Sequence, residues 1–100
     1  MKYLVMSKPR GNFPPAMAPN ILKATKAWVN ARLTDRSLEY FYAFPVGGGA
    51  GVANVDSHEA LMKMLRESPA FPFTETEIHP LVDFNQSLDS AIEVFQKMAG

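Results

Sequence analysis

The chain has 100 residues, 47% of them apolar, with ten basic and ten acidic side chains and a formal net charge of zero. That length makes one domain spanning 1–100 with a modest core. The balanced charge excludes the broad basic footprint of a nucleic-acid or anionic-membrane binder, and the absence of cysteine excludes disulfides, thiol catalysis and thiolate metal sites.

Residues 2–6 read as a short buried strand at the start of the chain. The apolar run stops at Pro9 and Arg10, too short for a signal peptide. No later stretch approaches the roughly 20 apolar residues of a membrane span, so a cytoplasmic protein without a membrane partner is expected. Pro9, Pro14, Pro15 and Pro19, together with Gly11, make residues 7–19 a loop. From about Pro19 to Leu33 a helix is expected, because Ile21, Leu22, Thr25, Trp28, Val29 and Leu33 recur at the helical period. Residues 38–44 are rich in aromatics and read as a strand. Strict alternation puts Leu38, Tyr40, Tyr42 and Phe44 on one face and Glu39, Phe41 and Ala43 on the other. Pro45 to Gly49 supplies a turn that tolerates positive φ, and residues 49–55 return as the second arm of a hairpin.

Asp56 or Ser57 caps the next helix, with Glu59 at capping-box spacing from Asp56. Ala60, Leu61, Met64 and Leu65 form its apolar stripe, and Ser68-Pro69 stops it. Residues 73–79 read as the last strand, ended by Pro80. A final helix runs from about Leu88 to Met98, with Ser87 as its cap. The order β-α-β-β-α-β plus a terminal helix is that of an α+β, ferredoxin-like domain, with helices on one face of an antiparallel sheet. The open face needs cover. Stacking two such faces gives a dimeric α+β barrel, so self-association as a homodimer or higher oligomer is expected.

Candidate sites follow from that layout. A helix does not follow the glycine run 47–51, so the run reads as a turn rather than a phosphate loop. His58 and His79 are the only histidines, and without a fixed local spacing they make only a weak metal signal. On the last strand Phe73, Glu75, Glu77 and His79 share one face, while Thr74, Thr76 and Ile78 face the helices. Two carboxylates and an imidazole on one face are suited to acid–base chemistry, provided burial lifts one carboxyl towards neutrality. Glu77 is the first candidate, with Glu75 or His79 as its partner. Trp28, Tyr42 and Phe73 are candidates for lining a small-molecule pocket, and Lys23 or Arg32 for holding an anionic group.

Residues 61–73 (Leu61 to Phe73), with Glu75, Glu77, Pro80 and Leu81 after them, resemble the helix-to-strand corner of the muconolactone delta-isomerases. Asn54 to Leu61 resembles the strand-to-helix junction of that family. The resemblance covers about residues 54–82. It implies a dimeric α+β barrel of ferredoxin-like subunits and cofactor-free, metal-free movement of a double bond in a small lactone by proton transfer. It places Glu75 and Glu77 at acidic positions of the family strand. The proline-rich residues 7–19, the triple glycine and the terminal helix depart from the family pattern. Two functions stay open: a cofactor-free isomerase acting on a lactone or enol, and a non-catalytic module that binds a small molecule or assembles.

Overall fold

The computed structural model describes residues 1–100. The elements run β1 (Lys2–Pro9), α1 (Ala18–Asp35), β2 (Leu38–Ala43), β3 (Gly49–Asn54), α2 (His58–Arg66), a 3-10 turn (Phe71–Phe73), β4 (Thr74–Leu81) and α3 (Phe84–Ala99). The four strands form one antiparallel sheet in the order β2-β3-β1-β4. This is the ferredoxin-like arrangement expected from the element order.

One face of the sheet carries Tyr3, Val5, Leu38 and Ala53, which close a core with Leu61, Met64 and Leu65 of α2. Trp28, Val29 and Leu33 of α1 pack against that core from the other side. The opposite face has no helix over it. Ser57 caps α2, accepting a hydrogen bond from the Ala60 N–H at 3.0 Å; Asp56 is not the cap. His58 is exposed but not free, because its Nδ1 meets the hydroxyl of buried Tyr3.

Three boundaries move, and one strand changes register. Lys8 and Pro9 extend β1, since Pro9 pairs with Thr74 at the strand end, where a missing N–H does little harm. Pro80 lies within β4 instead of ending it, because β4 is an edge strand. The last helix begins at Phe84, four residues early, capped by the Asp83 carboxylate on the Gln86 N–H at 2.9 Å and not by Ser87. The fourth change is the most consequential for function. Leu38 pairs with Ala53 but Tyr40 pairs with Val52, so Glu39 is an extra residue in a β-bulge. The bulge breaks strict alternation. Leu38, Phe41 and Ala43 share the helix face, while Tyr40 and Tyr42 point to the open face.

Candidate functional site

A cavity of about 460 Å³ lies between α1 and the helix face of the sheet. Val5, Ser7 and Pro9 of β1 and Thr74 and Thr76 of β4 form part of its floor. The bulge in β2 turns Phe41 inward to complete that floor. The ring lies flat over β3, where a Cβ on Gly49 or Gly51 would stand 2.8 Å from a Phe41 ring carbon. The two glycines therefore make room for the aromatic side chain. Leu22, Thr25, Trp28 and Val29 of α1 form the roof. Phe13 closes one end, packed edge to face on Phe73 with ring centroids 5.1 Å apart. The loop carrying Phe13 is tied down by the Arg10 N–H, which donates to the Phe73 carbonyl at 2.8 Å.

The hairpin shapes the cavity rim. Gly47 and Gly48 both have positive φ, and a Cβ on Gly48 would stand 2.0 Å from the Ser7 carbonyl oxygen. Only glycine fits there. The glycine run is a turn, as its sequence context indicates, but it also gives the cavity part of its wall.

The lining is chemically uniform. It contains no Asp, Glu, His, Lys, Arg or Tyr. Its polar groups are hydroxyls, the Asn12 amide and the Trp28 indole. The Thr25 hydroxyl donates to the Ile21 carbonyl at 2.7 Å, and that of Thr74 to the Phe71 carbonyl at 3.3 Å. Trp28 Nε1 is buried and has no partner. A buried donor left unpaired costs roughly 1–3 kcal/mol; the atom is closed off from the cavity surface, so a ligand acceptor would reach it only after a small shift of the indole.

The sheet separates the candidate residues into two groups. Trp28 and Phe73 line the cavity; Phe73 ends the 3-10 turn before β4 and so does not share the face of Glu75, Glu77 and His79 that strict alternation gives it. Glu75, Glu77 and His79 share a face, as their alternation requires, but it is the open face. All three are exposed, opposite Lys8, Met6 and Leu4 on β1. Tyr42 is also on the open face, at the far edge of the sheet, because of the bulge. Lys23 stands in solvent on α1, and Arg32 is occupied by Asp35 at 3.1 Å. Neither lines the cavity, so neither holds an anionic group there.

Glu77 and His79 form a hydrogen-bonded pair at 3.1 Å. The His79 hydrogen bond, with the His79 charge second and Lys8 a smaller contribution, holds the Glu77 carboxyl below its usual value. This is opposite to the rise that a general acid near neutrality needs. Glu77 is a carboxylate here, available as a base or as an ion-pair partner. No cluster of three or more His, Asp or Glu side chains is arranged to hold a metal ion, and no helix is long and apolar enough to cross a membrane.

Phe41, Thr25, Phe13 and the paired glycines were not among the sequence candidates. The Thr74–Thr76–Ile78 face, assigned to the helices by alternation, was the available signal. It identified the side of the sheet on which the cavity lies.

The architecture is that of the muconolactone isomerase-like α+β proteins. A crystal structure of muconolactone isomerase superimposes with a TM-score of 0.74 over 83% of this chain and 90% of that one, at 22% identity. The 5-chloro-2-hydroxyhydroquinone dehydrochlorinase of Burkholderia phenoliruptrix AC1100, in complex with 2,5-dihydroxybenzoquinone, gives 0.68 over 86% and 98%, at 11% identity. No protein-family model and no curated protein matches the chain. At these identities the likeness establishes the fold that residues 54–82 suggest.

Proposed function

We propose that this protein binds an uncharged, ring-sized small molecule in the cavity under α1, with the Trp28 indole N–H as its polar anchor. One observation carries the reading: the cavity has no charged lining residue, yet its wall holds a buried donor without a partner. The volume is within the roughly 300–1,000 Å³ range of small-molecule sites. With a small shift of the indole a ligand carbonyl oxygen would satisfy Nε1, and the aromatic walls would cover the faces of a flat ring. A charged ligand would lose hydration without gaining a counter-charge. The two structural neighbours support a small cyclic ligand. One is named for a lactone, and the other holds a quinone.

A second reading keeps the chemistry that the sequence suggests. Glu77 acts as base on a lactone or enol, with His79 as its partner and Glu75 alongside. The 3.1 Å Glu77–His79 hydrogen bond favours it. Catalysis at this pair would take place on the open face, outside the cavity. A proton transfer inside the cavity would need a titratable group from elsewhere, because the lining contains none.

Trp28 is the only tryptophan, so its fluorescence reports on the cavity directly. Titration with an uncharged butenolide should give a saturable change in emission. A butenolide bearing a carboxylate should bind more weakly. Calorimetry on Trp28→Phe should show affinity reduced about 2- to 12-fold, the worth of one neutral hydrogen bond. A flat titration with uncharged rings, or tighter binding of the anionic analogue, would defeat the binding reading. Turnover that disappears in Glu77→Gln would establish the second.

A further inference from the structure

The helix face of β1 and β4 changes character along its length. Val5 and Ile78 are register partners; Val5 is buried in the core and Ile78 packs against it. Two residues away, in the cavity floor, the same faces carry Ser7 and Thr76. These two are also register partners, so their Cβ atoms stand about 5 Å apart. On its other side Ser7 pairs with Gly49, which has no side chain and lies under the Phe41 ring. The hydroxyls of Thr25 and Thr74 already donate to backbone carbonyls. Those of Ser7 and Thr76 have no partner in the chain, and neither oxygen is sealed off as Trp28 Nε1 is. Ser68 also lines the cavity, but it stands singly on the loop after α2. The floor therefore presents two adjacent, accessible hydroxyls. Alanine and valine would fill both positions without the cost of drying a hydroxyl, as Val5 and Ile78 do beside them.

We propose that Ser7 and Thr76 determine the specificity of this cavity: together they hold a hydroxyl group of the ligand, so the preferred ligand is a neutral phenol or cyclic alcohol. The proposal rests on the cavity being the binding site. A ligand hydroxyl is both donor and acceptor, and so is each of the two side chains. One of the pair donates to the ligand oxygen while the other accepts the ligand proton. A carbonyl would use only the donors of the pair, and a methyl group would use neither. The Trp28 indole can only donate, so it cannot recognise a hydroxyl proton. The two anchors are also set apart. Trp28 packs against the core from the roof, whereas the hydroxyl pair lies about 7 Å further along the floor than Val5, towards the end that Phe13 closes on Phe73. A ring with a carbonyl at one end and a hydroxyl at the other engages both. No cation in the lining favours a phenolate, so a bound phenol keeps its proton.

The test is calorimetry with para-hydroxyacetophenone and para-methylacetophenone, at a pH well below the range in which a phenol ionises. The two rings differ only in whether the group opposite the carbonyl can hydrogen-bond. The wild type is compared with Ser7→Ala/Thr76→Val, whose near-ultraviolet dichroism checks that it is folded. The single changes Ser7→Ala and Thr76→Val cover the case of a double variant that does not fold. The double variant is expected to bind the hydroxyl-bearing ring about 5- to 100-fold more weakly, and the methyl-bearing ring at least as tightly as the wild type does. An unchanged affinity for the hydroxyl-bearing ring would overturn the proposal and leave the cavity reading in place. Equal losses for both rings would also overturn it, by showing that the two side chains only shape the wall. Binding of neither ring by the wild type would remove the cavity reading itself, and this proposal with it.

Discussion

Replacing Gly51 with alanine tests how the cavity floor is built. The backbone there is not left-handed, so alanine is permitted by φ and only its methyl group matters. That methyl would stand 2.3 Å from the Tyr40 carbonyl oxygen and 2.8 Å from Phe41 Cδ2. The ring can tip away, but only into the cavity. The carbonyl belongs to the β2–β3 ladder beside the bulge and can yield only by opening that ladder. Overpacking of this kind costs about 1–3 kcal/mol, against about 0.4–1 kcal/mol recovered by restricting the unfolded chain. The net loss is about 1–2 kcal/mol, which lowers Tm by roughly 5–15 °C in a domain of this size. Thermal denaturation followed by far-ultraviolet dichroism measures it. Ala50→Val is the control: it lies on the same strand but faces the other way, beside Met6 and Tyr42, and should melt close to the wild type. If Gly51→Ala melts with the wild type, the close packing of Phe41 on the glycines is not what shapes the floor.

Further outcomes follow from the same geometry. The Ser37 hydroxyl and N–H both donate to Asp35, at 2.6 and 2.9 Å, and hold its carboxyl below the usual value, with Arg32 adding a smaller pull. A lowered folded-state value contributes stability above the unfolded pKa that is lost as pH falls through the folded one. Ser37→Ala should therefore raise the Asp35 pKa in an NMR titration and weaken the dependence of stability on pH below about 4. Arg36 closes α1 in the left-handed region at φ 66°, a conformation that favours glycine at helix ends. Arg36→Gly should stabilise the protein by about 0.5–1 kcal/mol in urea denaturation, and a loss instead would mean that the arginine side chain holds the turn.

The order of elements was legible because each segment carries its own period. The helical spacing of Ile21 to Leu33 and the alternation of Thr74 to His79 survive in the folded chain, and the latter assigned the faces of β4 correctly. The bulge was not legible. An extra residue at Glu39 leaves no local mark, because Leu38 and the tyrosines are all apolar enough for either face. Only pairing with β3 shows the step, and pairing is a long-range fact. It sent Tyr42 to the open face and turned Phe41 into the cavity. The start of α3 was legible but misread. Asp83 and Gln86 have the spacing of a reciprocal cap, whereas Ser87 merely precedes the strongest apolar repeat. The site itself was half visible. Trp28 and Phe73 line the cavity, but the acidic strand face drew attention to the open side of the sheet, where ionisable residues cost nothing to expose.

In the proposed function the two sides of the sheet do different work, and the ligand side is the one under α1. Amide and indole chemical-shift mapping of the labelled protein with an uncharged butenolide tests it most directly. The Trp28 indole N–H is expected to move downfield as it gains an acceptor, with shifts at Ser7, Phe41, Gly49 and Thr76 and none at Glu75, Glu77 or His79. Shifts centred on the Glu77–His79 pair, with the Trp28 indole unmoved, would contradict it and put the site on the open face.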